Sequence, residues 1–203
     1  MRTRVVILAL ICLAAAACVK LERQPLEKRL YALETVRPGV VQGRPACPES
    51  VLARRLVVSA RSAGRELVYR TGESAWNADY YNLFFVSPAD MLTQDLRAWL
   101  TSADLFGEVL DPGSLAPYGY ILEGNVTALY GDFAAKPPQA VAEMQFLLLR
   151  NGDERRIVLS RGYRRTAPLA ASTPQELVRA LREATGGIYT ALEADLRAAL
   201  VRQ

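Results

Sequence analysis

An α+β fold, with an antiparallel or mixed sheet built largely from hairpins and packed by two main helices, is what the 203-residue sequence predicts. Three observations carry that expectation. Short apolar runs alternate with period two and are separated by turn residues; two segments, after Ser87 and after Thr173, carry a helical apolar stripe instead; and those helices fall one in the middle of the chain and one at its end. With 51% hydrophobic and 23% charged residues, the composition is that of a globular domain and not of a disordered chain.

Met1 to Val19 reads as a lipoprotein leader. Arg2 and Arg4 precede an unbroken apolar run from Val5 to Leu13, and small residues then lead to Cys18. The run is shorter than the roughly 20 residues that a membrane-spanning helix needs. Ala15-Ala16-Ala17-Cys18 resembles the bacterial lipobox, in which the cysteine thiol takes a diacylglycerol, the chain is cut before it, and the new amine is acylated. Several acyl chains on one residue make a lasting anchor, because each buried methylene contributes about 0.8 kcal/mol. The expected division is therefore a signal peptide over 1–17, lipidated Cys18 with a tether over 18–28, and a single domain over 29–203.

Within the tether, VKLERQPLE mixes charges, contains Pro25 and shows no sustained period. Leu30 to Leu33 is a short strand candidate, and Pro38, Gly39, Gly43, Pro45 and Pro48 then punctuate a long loop to Ser50. Leu52–Ala60 and Glu66–Thr71 are expected to form a hairpin about the turn Ser62-Ala63-Gly64. Tyr80 to Val86 is a further strand, rich in aromatic and β-branched side chains.

Ser87-Pro88-Ala89-Asp90 predicts a helix start, with a hydroxyl N-cap, proline at N1 and an acid at N3 facing the dipole. Leu92, Leu96, Trp99, Leu100 and Ala103 form its apolar face. Phe106 to Leu110 reads as a strand. Tyr120 to Tyr130 follows with period two, Asn125 and Thr127 sharing a face with Ile121, Glu123 and Leu129, and Tyr130 falling on the opposite face with Leu122 and Val126. Ala140–Leu149 and Arg156–Arg161 flank Asn151-Gly152-Asp153, a strong hairpin signal. The last helix begins at Thr173-Pro174-Gln175-Glu176, a full capping box. Its stripe runs from Leu177 through Leu181, Ala184, Ile188, Leu192 and Leu196 to Leu200, with a weak point at Gly186-Gly187. A mature chain of this size buries about 70% of its unfolded surface, which suffices for a core without metals or disulfides.

Composition narrows function. The formal charge is +4, and Arg2 and Arg4 carry two of those positive charges, so the mature chain has +2 and no bulk electrostatic grip on nucleic acid is expected. The sequence contains no histidine, which removes Ser-His-Asp and Cys-His nucleophile systems and imidazole-bound zinc. Of the three cysteines, Cys12 leaves with the leader and Cys18 is used for lipid. Cys47 then has no intramolecular partner, and burial, a loop position and inter-chain pairing are its options. Asp79, Asp90, Asp95, Asp104, Glu108 and Glu123 are the acids that could converge in a cleft, as in a glycosidase, but most sit at helix starts, on polar helix faces or in turns. No cofactor, metal site or enzymatic activity is expected.

A series of segments resembles a known family: Arg65-Glu66-Leu67-Val68-Tyr69-Arg70, Tyr80-Tyr81-Asn82-Leu83-Phe84, Ser87-Pro88-Ala89-Asp90-Met91-Leu92, and Ala103-Asp104-Leu105-Phe106-Gly107-Glu108-Val109. Leu30-Tyr31-Ala32-Leu33, Leu122-Glu123-Gly124 and Ala128-Leu129-Tyr130 add to it. The chain is similar to the ABC-type transport auxiliary lipoproteins, outer-membrane components that accompany MCE (mammalian cell entry) lipid-transport systems, from about Arg29 to the last helix. Family members often carry tryptophan near the end of the strand that here ends in Phe84-Phe85, whereas this sequence has Trp76 earlier.

The resemblance implies a non-enzymatic subunit, anchored by Cys18, that helps an MCE-domain protein and its permease/ATPase complex move lipids between the inner and outer membranes. No Walker motif occurs, so ATP is hydrolysed by another chain. Arg70, Trp76, Tyr81 and Phe84 are the expected partner or phospholipid contacts, and a homo-oligomer is left open. Val19 after the cysteine, where aspartate resembles an inner-membrane retention signal, points to the periplasmic face of the outer membrane in a Gram-negative source. The alternative is an outer-membrane lipoprotein serving envelope assembly or activating peptidoglycan synthesis.

Overall fold

The computed structural model describes residues 27–39 and 44–202. The leader, Cys18 and most of the tether lie outside the described residues, as do positions 40–43 of the Pro/Gly-rich loop. The elements are β1 (Arg29–Tyr31), β2 (Val51–Ala53), β3 (Val57–Val58), β4 (Glu66–Arg70), β5 (Trp76–Phe84), α1 (Pro88–Ser102), β6 (Val109–Leu110), β7 (Tyr120–Asp132), β8 (Gln139–Arg150), β9 (Arg156–Pro168) and α2 (Pro174–Leu200). One mixed sheet contains all nine of these strands, and the two helices pack against one of its faces, as an α+β fold requires.

β7 is the spine. Its one edge pairs antiparallel with β8 along its whole length, and β8 pairs antiparallel with β9 across the Asn151-Gly152 turn, as the sequence predicts. The other edge is occupied in succession by β2, β3 and β4, all parallel: Val51 to Ala53 lie opposite Tyr120 to Leu122, Val57 opposite Asn125, and Tyr69 opposite Gly131. The expected hairpin between 52–60 and 66–71 is therefore not formed. Its turn residues do not reverse the chain. Ser59 N donates to Val126 O (2.9 Å) and the buried Ser62 hydroxyl donates to Leu129 O (3.1 Å), so the short 3-10 turn at Ala60–Ser62 stays bonded to β7 and the chain continues in the same direction. The hairpin that does form joins β4 to β5.

Two irregularities re-phase the alternation. At Thr127, β7 carries one residue more than β8, Val126 lying opposite Met144 and Ala128 opposite Glu143. Leu129 thereby joins Val126 in the main core, while Tyr130 and Ala128 go to the other face with Val68 and Val141, which corrects the face assignment made from strict period two. In β5, Leu67 pairs with Asp79 but Glu66 pairs with Leu83, so Tyr80, Tyr81 and Asn82 form an outward bulge.

Both helices begin where their caps predict. Ser87 Oγ accepts from Asp90 N (3.3 Å) and donates to the Asp90 carboxylate (2.6 Å). Thr173 Oγ1 accepts from Glu176 N (3.3 Å), but Glu176 reaches Ala170 N (3.0 Å) and not the backbone of Thr173, so the box is one-sided. α2 runs unbroken through Gly186-Gly187 because its stripe is anchored on both sides: Leu181, Ala184, Ile188, Leu192 and Leu196 are all buried against β8 and β9. A fully buried leucine contributes about 2 kcal/mol in transfer free energy, which outweighs the about 1 kcal/mol cost of each glycine. Cys47 is buried, its N–H donating to Leu105 O (2.9 Å). Gly107 is required beside it, since a Cβ there would lie 2.1 Å from Pro48 O.

Candidate functional site

The sheet face away from the helices carries a second, small apolar cluster of Val68, Tyr130 and Val141, with Trp76 and Ala128 packed on it. Trp76 meets Tyr130 edge-on, ring centroids 4.8 Å apart, and the Arg61 guanidinium stacks over the indole at 4.1 Å. Arg70 lies directly opposite Trp76 across the β4–β5 pair. Its guanidinium is paired with Asp132 (3.3 Å) and its Nε donates to Gly72 O (3.2 Å). The anion that Arg70 meets is thus supplied by the fold itself, although a third of the side chain remains open to solvent.

Toward the β1 edge the same face presents the bulge. Asp79 holds it: the carboxylate accepts from the Tyr69 hydroxyl (2.8 Å), Tyr81 N (2.9 Å), Asn82 N (3.0 Å) and Asn82 Nδ2 (2.8 Å). Burial alone pushes the Asp79 carboxyl up, but the hydrogen bonds from Tyr69, Asn82 and the two backbone amides outweigh it and hold the group below the usual carboxylate range. The Tyr69 phenol is pushed up, by burial first and then by Asp79. The outcome is an outward pair of rings, Tyr80 at 65% and Tyr81 at 40% exposure, edge to face at 5.1 Å, with Lys28 Nζ 4.3 Å above the Tyr80 ring.

Phe84 is a correction. It is 3% exposed and packs in the main core, where no partner or lipid reaches it. Beyond the three-residue bulge Phe84 falls on the core face, so the exposed aromatic at this strand end is its neighbour Phe85, at 62%. The structure brings Arg70 and Trp76 together, sets Tyr81 apart near the edge strand, and adds Arg61, Tyr130, Tyr80, Phe85 and Lys28, which sequence reasoning missed. The doubled aromatic at Phe84-Phe85 was the available signal for Phe85, because in a regular strand one of two neighbours faces outward, whereas at Tyr80-Tyr81 the bulge turns both out.

Over β7–β9 the same face forms an open concavity of about 810 Å³, with Val57 and Leu147 as apolar lining and Asn125, Gln145 and Ser160 as polar lining. One wall is the Arg54–Glu123 ion pair (2.8 Å). Other acids considered from sequence are also engaged: Asp90 with Arg55 (2.6 Å) and the Ser87 cap, Asp95 with the amide and hydroxyl of Thr35 (both 2.8 Å). Among the described residues no group of three or more His, Cys, Asp or Glu side chains is placed to hold a metal, and no helix is long and apolar enough to cross a membrane.

No family model matches the sequence, and no curated protein matches it. Solved structures do. The protein XCC0632 of Xanthomonas campestris, described as a DUF330 protein, superposes with a TM-score of 0.69 at 19% identity, covering 81% of this chain and 92% of that one. A structure described only as an uncharacterized protein gives 0.66 at 18% identity, over 83% and 97% of the respective chains. The fold is thus shared over nearly the whole of each relative.

Proposed function

We propose that the protein is a membrane-anchored, non-ATPase auxiliary lipoprotein of an MCE-type ABC transport system that moves lipids between the inner and outer membranes. The observation that carries this reading is the aromatic and cationic surface on the open sheet face. It is built by β4, β5 and β7, the strands that contain the segments resembling the transport auxiliary lipoproteins. Trp76, backed by Tyr130, has the make-up of an interface anchor, a rigid indole with the Arg61 guanidinium stacked on it and Arg70 across the strand pair. The acyl anchor at Cys18 moors the domain at the periplasmic face of the outer membrane. Tethering raises the effective concentration of a partner also held at the membrane, so a modest intrinsic affinity suffices.

Co-purification from detergent-solubilised membranes tests the reading. Wild type is expected to recover an MCE-domain protein with its permease and ATPase, and a Trp76→Ala, Arg61→Glu variant to recover about tenfold less, as loss of one interface hot spot predicts. Cys18→Ser is expected to leave the domain folded and release it into the soluble periplasm. Equal recovery by wild type and the Trp76 variant, or capture of a cell-wall synthase in place of the transporter, overturns the proposal.

A further inference from the structure

β1 is the point at which the described chain emerges from its amino-terminal side, and it pairs parallel with β5 at the edge of the sheet, Arg29 opposite Asn82 and Leu30 opposite Leu83. By strand alternation Lys28 and Leu30 share the open face with Leu83 and Phe85, and the bulge turns Tyr80 and Tyr81 out beside them. Exposed apolar and aromatic side chains are thus gathered at one corner, with an ammonium group lying on one of the rings. A tyrosine ring has an apolar body and a polar tip, which suits the headgroup boundary of a bilayer, and lysine reaches outward to phosphate.

The position of this corner identifies its occupant. Only nine residues, Val19 to Glu27, separate Cys18 from Lys28, and they span about 30 Å when fully extended. A bilayer holding the acyl chains is therefore within reach of this corner, whereas the concavity over β7–β9 lies toward the opposite edge of the sheet.

We propose that Leu30, Tyr80, Tyr81 and Phe85 form a bilayer-contact surface, seated at the headgroup boundary with Lys28 on phospholipid phosphate, so that the domain docks on the membrane by its β1–β5 edge. The proposal rests on the reading of Cys18 as the anchor for proximity alone; the surface has its own affinity. Asp79 is its positioning residue, because it holds the bulge that projects the two tyrosines.

The test uses vesicles of phosphatidylethanolamine and phosphatidylglycerol in equal parts. In the first arm, the membrane-isolated chain bearing Tyr81→Trp is mixed with vesicles whose acyl chains are brominated near the headgroup. Emission is read as the difference between this variant and its parent, which carries Trp76 and Trp99, and the added indole is expected to lose about half of that difference, relative to unbrominated lipid, as interfacial seating implies. In the second arm, the non-acylated Cys18→Ser chain is expected to partition weakly, and Tyr80→Ser, Tyr81→Ser, Phe85→Ser to lower that partitioning about tenfold. Lys28→Glu leaves the aromatics in place and is expected to weaken binding to these anionic vesicles more than to phosphatidylcholine, which has the phosphate but no net charge. A chain that floats with vesicles while its indole stays unquenched overturns the surface and leaves the anchor reading intact. Equal partitioning of the triple variant and its parent, at an unchanged melting temperature, also overturns it. So does an indole shielded from aqueous iodide before any vesicle is added, since another copy of the chain or residues 19–27 would then hold the corner. A mass spectrum showing an unmodified amino terminus defeats the anchor reading instead, and the second arm still decides the surface.

Discussion

Asp95 is half-buried on α1, with both carboxylate oxygens committed to Thr35, one to its amide and one to its hydroxyl. Burial is the largest influence on it and raises the carboxyl from 3.8 to about 6; the Thr35 bonds and Arg182 pull the other way, and Glu34 adds to the rise. A group that holds its proton more tightly folded than unfolded stabilises the fold fully below about pH 3.8, and that contribution is lost as pH rises through about 6. The shift is about two pKa units, so the loss is about 3 kcal/mol. Carboxyls held low elsewhere, Glu193 by Arg37 and Glu143 by Arg164, titrate with the opposite sign and mask it in the wild-type profile. Asp95→Asn separates the two. Asparagine keeps an acceptor for the Thr35 amide, and its own amide can donate to the Thr35 hydroxyl. Urea unfolding of both proteins from pH 4 to pH 8 is expected to give nearly equal stabilities at the acid end. At the neutral end the variant is expected to lead by about 2 to 3 kcal/mol, roughly 4 to 12 °C in melting temperature for a chain of this size. Parallel stability curves across the range refute the argument.

Glu193 joins Arg37, Trp99 and Arg197, and the side chains of Arg37 and Glu193 are only 12% and 14% exposed. Glu193→Ala leaves a nearly buried guanidinium and an indole N–H without their acceptor, and a loss of about 3 kcal/mol by urea unfolding is expected. Asp79→Asn removes the charge that collects four donors, and about 2 kcal/mol should go with it. Amide hydrogen exchange at Tyr81 and Asn82 should rise at the same time, and unchanged protection there shows that the bulge does not depend on the carboxylate. Leu192, fully buried between α2 and the sheet, tests the core; Leu192→Ala is expected to cost 2 to 5 kcal/mol, read by thermal or urea unfolding.

What could be read from the sequence was local. Ser87-Pro88 and Thr173-Pro174 mark both helix starts because a cap and its first turn are adjacent in the chain, and Asn151-Gly152 joins β8 to β9 for the same reason. The hairpin expected at Ser62 failed because the true partner of β2 and β3 is β7, some 70 residues on, and parallel pairing leaves no turn signature. The bulges at Thr127 and Tyr80–Asn82 have no compositional mark, yet each re-phases the strand beyond it. That is how Tyr130 came to be placed with Val126, and why Phe84 lies in the core beside an exposed Phe85. For the candidate surface, Arg70 and Trp76 were named from the sequence as expected contacts. Their neighbours Asp132, Tyr130 and Arg61 come from other parts of the chain and are brought in by topology alone.

The parallel edge of β7 also sets an order in time. A chain delivered amino end first exposes Val51 to Val58 long before Tyr120 to Asp132 has emerged to receive it. The β7–β8–β9 meander has neighbours to hand and closes cheaply, whereas β2 and β3 wait for a distant template. Until then those apolar residues have no partner strand and are open to association with other chains.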